Sequence, residues 1–460
     1  MQLAESKKRF SLPFHVVKKL DISKTKYWII KVSGILVAFL LAGLICTLLK
    51  PGTFTTFYSQ MILGCFSLTA GKINDFLITF ALLTLVAFAL APAFKMKFWN
   101  IGGEGQILVG CLTTAGIAKF MPASGAPDWV IIIVSLVAAV AAGIIWGVIP
   151  AICKAFFGTN ETLFTLMMNY VAAGLILLFI NLWVPNGSQI FGLLERGYLP
   201  EIFNFKYLLS TIIAFVLVIL VTIYLKKTKH GYELSVVGES VNTARYVGIN
   251  VKKVTIRTMV LSAGLCGFVG FLFVSGYHHS LNSTLSGGIG FTGVLIAWLG
   301  SFEPILMVLY AFLVAVFQRG SINAASYVNM NTDHFSAIVT GMFFLVVIAT
   351  EFFVNYSIML KKNSNEKKDN SLQLQTVPSY EEIGDVVEEA TLEAKPVPAK
   401  KPVKKEVKVT KAEAKKPVKK TASKPVEKVA KENKTTTKKP TKATPAKTKP
   451  SSSKSKMEAK

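Results

Sequence analysis

Between Ile29 and Phe353 the chain returns repeatedly to apolar runs of bilayer-crossing length, and no other feature limits its fold so severely. A helix needs about 20 apolar residues to cross the hydrocarbon core, where only internal bonding satisfies its backbone. Ten runs stand out: Ile29–Leu49, Asp75–Phe94, Ile101–Met121, Trp129–Cys153, Leu163–Val184, Tyr207–Leu225, Val254–His278, Gly287–Gly300, Pro304–Phe317 and Phe335–Phe353. The eighth and ninth are short for independent spans, so broken or tilted elements are expected there. The pattern defines an all-α integral membrane protein with eight to ten crossings, ten being preferred.

Charge is segregated along this frame. Although 52% of the residues are hydrophobic and 17% charged, the formal net charge is +25. Residues 361–460 hold 27 of the 51 Lys+Arg and 13 of the 26 Asp+Glu, leaving +14 there and +11 on residues 1–360. The chain therefore divides into a basic cytoplasmic lead (1–28), a membrane body (29–360) with a basic cytoplasmic loop (226–253), and a Lys-rich tail (361–460). The tail is expected to be disordered, since it has too few large apolar residues to pack. It is either simply solvated or drawn to anionic lipid headgroups. Nucleic acid is disfavoured, because no aromatic residues beyond Tyr380 are interleaved with the lysines for stacking.

The basic lead, from Lys7 to Lys31, places the N-terminus in the cytoplasm. Alternation then puts Lys95, Lys97, Lys154 and the 226–253 loop inside, and the poorly basic loops 51–74, 122–128, 279–286 and 318–334 outside. An even count returns the tail to the cytoplasm. The first run lacks an A-x-A cleavage site and is expected to stay attached. The five cysteines form no C-x-x-C pair and the five histidines no zinc-type pattern. There is also no G-x-x-x-x-G-K-[ST] loop, so the Leu285–Gly288 echo of an ATPase motif has no phosphate cradle behind it.

Three polar clusters interrupt the apolar frame. Phe98-Trp-Asn-Ile-Gly-Gly-Glu-Gly-Gln106 sets Asn100, Glu104 and Gln106 between two spans. A carboxylate at that depth must face protein interior or water, so the segment reads as a broken helix on a pathway, against a surface loop with solvated Glu104. The second cluster is Gly158–Thr162, with Asn169 and Tyr170 beyond. Asn160 or Thr159 either caps the helix or contributes to function, and Asn169 either forms an interhelical hydrogen bond or lines the pathway. The third, Gly287–Gly293, serves close packing or a pore-lining hinge. On the 226–253 loop a short helix starting at Ser240 and ending at Gly248 exposes Arg245 and Tyr246, which suits docking to a soluble partner or an ordinary solvated loop.

Taken together, Phe98–Gln106, Asn160-Glu-Thr-Leu-Phe-Thr-Leu-Met-Met-Asn-Tyr170, Gly231-Tyr-Glu-Leu-Ser-Val-Val-Gly-Glu239 with Ala244-Arg-Tyr-Val-Gly-Ile249, and Gly288-Ile-Gly-Phe-Thr-Gly293 resemble the permease subunits of bacterial ABC importers for simple sugars and branched-chain amino acids. The nucleoside-type permeases look most similar. The resemblance covers most of residues 75–355; Trp99, where a smaller residue is usual, and Ser240-Val241, in place of Asn-Pro, depart from it.

The resemblance implies a transport subunit and not an enzyme, in a bacterial plasma membrane. It would pair with a second, identical or different, permease, with an ABC ATPase and with an extracellular substrate-binding lipoprotein, in contact with membrane lipids. No cofactor is expected on this chain, ATP and Mg being used by the ATPase. Asn100, Glu104, Gln106, Asn160, Glu161, Asn169, Gly290 and Phe291 are the implied pathway residues. Gly231, Glu233, Gly238, Glu239, Ala244, Arg245 and Gly248 are the implied ATPase-coupling positions. Nucleosides are the expected cargo, simple sugars of the ribose type the alternative. A self-sufficient secondary transporter using Glu104 and Glu161 as ion sites is the rival from another class.

Overall fold

The computed structural model describes residues 14–19, 23–67, 71–184, 190–203 and 205–360. Expectations about 361–460 and most of the basic lead lie outside the described residues. Thirteen helices are described: α1 Lys24–Leu49, α2 Phe54–Phe66, α3 Lys72–Lys95, α4 Gly103–Phe120, α5 Asp128–Ile152, α6 Glu161–Trp183, α7 Leu208–Lys227, α8 Lys229–Glu239, α9 Val241–Tyr246, α10 Val251–Phe273, α11 Ile289–Leu299, α12 Pro304–Tyr327 and α13 Thr332–Asn355. Nine of these, α1, α3–α7, α10, α12 and α13, are long and apolar enough to cross a membrane. Each of the ten expected runs overlaps one of these nine or α11. With 11 residues, α11 reaches only about 16 Å, roughly half a bilayer core.

Two expectations are corrected. The stretch 51–74, read as an outer loop, contains α2. The ninth run does not stop at Phe317, because α12 continues to Tyr327 through Gln318, Arg319 and Asn323. Tertiary partners make those polar residues tolerable: Arg319 donates to Thr79 Oγ1 at 2.6 Å, and Asn323 to the Gln60 carbonyl on α2 at 2.6 Å.

The core is built around α3. Its spanning window is 89% buried, against 28% for α1, α5, α6 and α7. A helix that is apolar all round belongs at the centre of a bundle, and Ile78 to Phe94 on α3 accordingly find neighbours on every side. Helices α7, α10, α11 and α12 pack around it, and α10 in turn touches α4 and α5 main chain to main chain. A Cβ on Gly267 would strike the Ala139 carbonyl, and one on Gly110 would strike Gly267 itself. Such contacts are how helices gain dispersion energy where lipid offers no hydrophobic contrast.

Two small sheets mark the ends. Strand β1 (Phe14–Lys18) pairs antiparallel with β4 (Tyr356–Leu360), so the chain enters α1 and leaves α13 at the same face. Strand β2 (Ile190–Phe191) pairs with β3 (Leu281–Asn282), tying the α6–α7 connection to the one before α11.

Candidate functional site

Helix α3 ends at Lys95, and the chain turns through Phe98–Gly102 before α4 begins at Gly103. The expected break is present, and its polar side chains point into the protein. Asn100 is fully buried; its Oδ1 accepts from the Gly102 N–H at 3.1 Å and from Gln106 Nε2 at 3.2 Å, and its Nδ2 donates to Ser262 on α10 at 3.5 Å. From α6, Asn169 brackets the same turn, donating to the Ile101 carbonyl at 3.0 Å and accepting from the Gly105 N–H at 2.8 Å. One amide from the turn itself and one from α6 thus satisfy backbone groups around the α4 start.

Glu104 is 7% exposed, which overturns the reading of a solvated surface loop. Its carboxylate accepts from the Ser286 hydroxyl, from the Gly288 N–H at 3.2 Å and from the Gly290 N–H at 2.7 Å. These donors lie just before α11 and in its first turn, so α4 supplies the N-terminal cap of α11 across the structure. The helix macrodipole reinforces the arrangement, because negative charge is stabilised at a helix N-terminus. Only glycine fits at 290, where a Cβ would collide with the Glu104 backbone, and Gly288 takes φ +75° to start the helix. Ser286, in the Leu285–Gly288 echo set aside as an ATPase motif, is one of these donors.

The segment leading to this cap, residues 280–288, is non-helical apart from β3. It runs from the β2–β3 end to the start of α4. It exposes Thr284 and Gly287 and half-buries Ser280, Asn282 and Ser283, with half-buried Thr292 and 39%-exposed Phe291 following on α11. No residue from Ser280 to Phe302 is charged. Irregular backbone at membrane depth is tolerated where protein buries it or a cavity hydrates it. The two remaining pathway positions lie at the α6 start: Asn160 accepts from the Thr162 and Leu163 N–H groups as its N-cap, and Glu161 pairs with Lys154 at 2.7 Å.

Helix α9 forms as the spacing predicts, with Ser240 Oγ accepting from the Thr243 N–H at 3.2 Å and Gly248 at φ +79° ending the turn. The preceding stretch, not anticipated as a helix, is α8. A separate apolar core joins Leu234 and Val237 of α8 and Ala244 of α9 to Ala93, Met96 and Phe98 around the α3 end, and to Val254 and Met259 of α10. The expected coupling positions therefore divide in two. Gly231, Gly238 and Ala244 face inward, Gly238 so closely that a Cβ would strike the Lys95 carbonyl. Glu239, Arg245 and Gly248 face outward with Tyr246, which is 92% exposed. Glu233 is half-buried, 3.8 Å from Lys229.

Sequence reasoning missed His230. It is buried, with Nδ1 2.9 Å from the Tyr224 hydroxyl on α7 and Nε2 3.1 Å from Thr258 on α10, and it pins α8 between two spans. Burial, with Arg257 adding to it, holds its pKa below the ordinary histidine value. The intramembrane ion pair Lys31–Glu351, which ties α1 to α13, was also missed, as was Arg319, whose guanidinium donates to and lies over Tyr277. Their only signal is an isolated charge within or beside an apolar run. Among the described residues no group of three metal-ligating side chains occurs.

A central buried helix, a half-length helix capped from another span and a two-helix module clasped to one face describe a multi-pass membrane protein. The chain belongs to the family described as branched-chain amino acid transport system / permease component, which matches residues 72–348. It is 29% identical to the guanosine ABC transporter permease protein NupP of Bacillus subtilis over 247 residues, 52% of this chain and 70% of that one. It is 28% identical to the nucleoside ABC transporter permease protein NupB of Lactococcus lactis over 267 residues, 55% and 73% of the two chains. It is also 25% identical to the glucose ABC transporter permease protein TsgB13 of Haloferax volcanii over 294 residues, 60% and 76%. The chain is thus a transport permease of the ABC type and not an enzyme.

Proposed function

We propose that this permease forms the membrane pathway of an ATP-driven importer of nucleosides. The observation that carries the energy-coupled reading is the α8–α9 module, which exposes Arg245 and Tyr246 while its inner face shares a core with α3 and α10. A push on such a module moves the central helix, because a packed core transmits displacement rather than absorbing it. ATP and Mg then belong to a partner ATPase that binds Arg245 and Tyr246, with both chain termini on that cytoplasmic side. A second permease completes the pathway, and a substrate-binding lipoprotein delivers cargo from outside. Residues 29–360 are the permease domain, followed by the basic tail.

Cargo rests on the similarity to NupP and NupB, and on the uncharged hydroxyl and amide groups along 280–292, which suit a neutral polyhydroxyl solute. Similarity to TsgB13 keeps simple sugars as the second reading. Glu104 and Glu161 are held by three donors and by Lys154, which leaves the ion-coupled alternative without a free carboxylate among the residues first considered for it. In this reading Asn100, Gln106 and Asn169 support the pathway from behind, and Phe291 and Thr292 face it.

The test is uptake of labelled uridine or guanosine, with ribose as competitor, in cells lacking and then regaining the chain. Arg245→Glu with Tyr246→Ala leaves the amount of folded protein unchanged and lowers uptake at least about tenfold, as expected for a large exposed anchor in an interface. Ala244→Asp instead lowers the amount of folded protein, because it buries an unpaired charge. Uptake indifferent to the Arg245/Tyr246 change refutes coupling through α9. Uptake of ribose alone moves the cargo to sugars.

A further inference from the structure

We propose that the cleft between α8 and α10 binds the headgroup of an anionic phospholipid. The cleft encloses about 420 Å³ and is lined by Lys229, Tyr232, Glu233, Lys253 and Arg257, with Gly248 to Asn250 at its edge. Lys253 and Arg257 are one helical turn apart on the exposed side of α10, and Lys229 faces them from α8. Glu233 lies 3.8 Å from Lys229, and among the described residues neither Lys253 nor Arg257 has an ion-pair partner within 4.0 Å. Two unmatched cations around one concavity call for an anion. A phosphodiester fits the planar fork of Arg257, while Lys253 acts as a point charge.

Depth selects a lipid as its source. Helix α10 is the first part of a spanning element, Val251–His278, so the cleft sits where polar surface gives way to apolar helix. The turn that follows α5, Cys153–Phe157, marks the same level: Phe156 and Phe157 are 58% and 78% exposed, and Lys252 lies 4.7 Å over the Phe156 ring. Tyr232, 66% exposed in the cleft beside these basic residues, is of the amphipathic aromatic type enriched in a headgroup layer. The hydroxyls of a glycerol headgroup would meet Glu233 as acceptor, which gives the acidic member of the cleft a part.

The full-length chain is placed in nanodiscs of phosphatidylcholine containing phosphatidylglycerol, extracted into detergent, and assayed for retained lipid by mass spectrometry. The native chain retains phosphatidylglycerol over phosphatidylcholine. Lys253→Gln with Arg257→Gln weakens that retention about twenty-five-fold, at about fivefold for each interfacial charge. Lys226→Gln with Lys227→Gln, an equal charge loss at the end of α7 but outside the cleft, leaves it nearly intact. Size-exclusion profiles verify that both variants fold. Equal loss in the two double variants overturns the proposal in favour of a diffuse basic rim. Displacement by inorganic phosphate overturns the lipid assignment, and equal retention of phosphatidylcholine overturns anion recognition altogether.

Discussion

Replacing Glu104 by Gln isolates the cap that α4 places on α11. The native carboxylate serves the Gly290 N–H with one oxygen at 2.7 Å, and the Ser286 hydroxyl and the Gly288 N–H with the other. Glutamine offers one oxygen only. If that oxygen stays with Ser286 and Gly288, the amide NH2 faces the Gly290 N–H, and a buried donor is left unsatisfied at about 1–3 kcal/mol. Loss of the anion from the helix N-terminus adds up to about 2 kcal/mol in a buried setting. A total of about 3 kcal/mol raises the population of the locally open state roughly a hundredfold.

Cys111 on α4 and Cys266 on α10 are fully buried and report that opening by thiol labelling. The assay uses purified full-length protein, under conditions where closing outpaces labelling. Ser286→Ala, which removes one hydrogen bond while both N–H donors stay satisfied, raises the labelling rate only about fivefold. Labelling in the Glu104→Gln variant within about threefold of the native rate would refute the cap as an energetic element.

The His230 contact carries a pH dependence whose sign follows from its burial. Its pKa lies below the unfolded value of about 6.5, so the folded state favours the neutral ring. That stabilisation is fully present above pH of about 6.5 and declines as the pH falls through and below it. Protection factors for hydrogen exchange across α8, corrected for the intrinsic pH dependence of exchange, therefore fall on acidification, and His230→Gln abolishes the step. For the Lys31–Glu351 pair, Lys31→Met alone leaves Glu351 without its partner and costs about 3–5 kcal/mol, lowering the thermal midpoint. Lys31→Met with Glu351→Leu recovers most of that loss; a double variant as weak as the single one would show that the pair is more than mutual neutralisation.

Much of the architecture was legible because it is written locally. The length of an apolar run decides whether a helix crosses a bilayer, and each of the ten runs overlaps a spanning helix or the half-length α11. Capping is local as well: Ser240 starts α9 and Asn160 starts α6 by reaching two or three residues along the chain. The polar break at Phe98–Gly102 was legible for the same reason. The 226–253 loop was legible as a basic stretch carrying one short helix, but not as a helix pair with an inner and an outer face.

The sequence by itself thus determined the membrane class, the near-complete set of spans, the helix break and the positions of the chemistry-bearing residues. Only the tertiary structure decided what those residues do. Whether Glu104 meets water, an ion or another helix depends on Gly290, 186 positions away, and nothing in the neighbourhood of either residue encodes that meeting. The extension of α12 through Arg319 likewise depends on Thr79, and the burial of Ala244 on the end of α3. The reason is physical: propensity and hydropathy act over a few residues, whereas the satisfaction of a buried polar group is settled by whichever distant donor the packed fold brings within 3 Å of it.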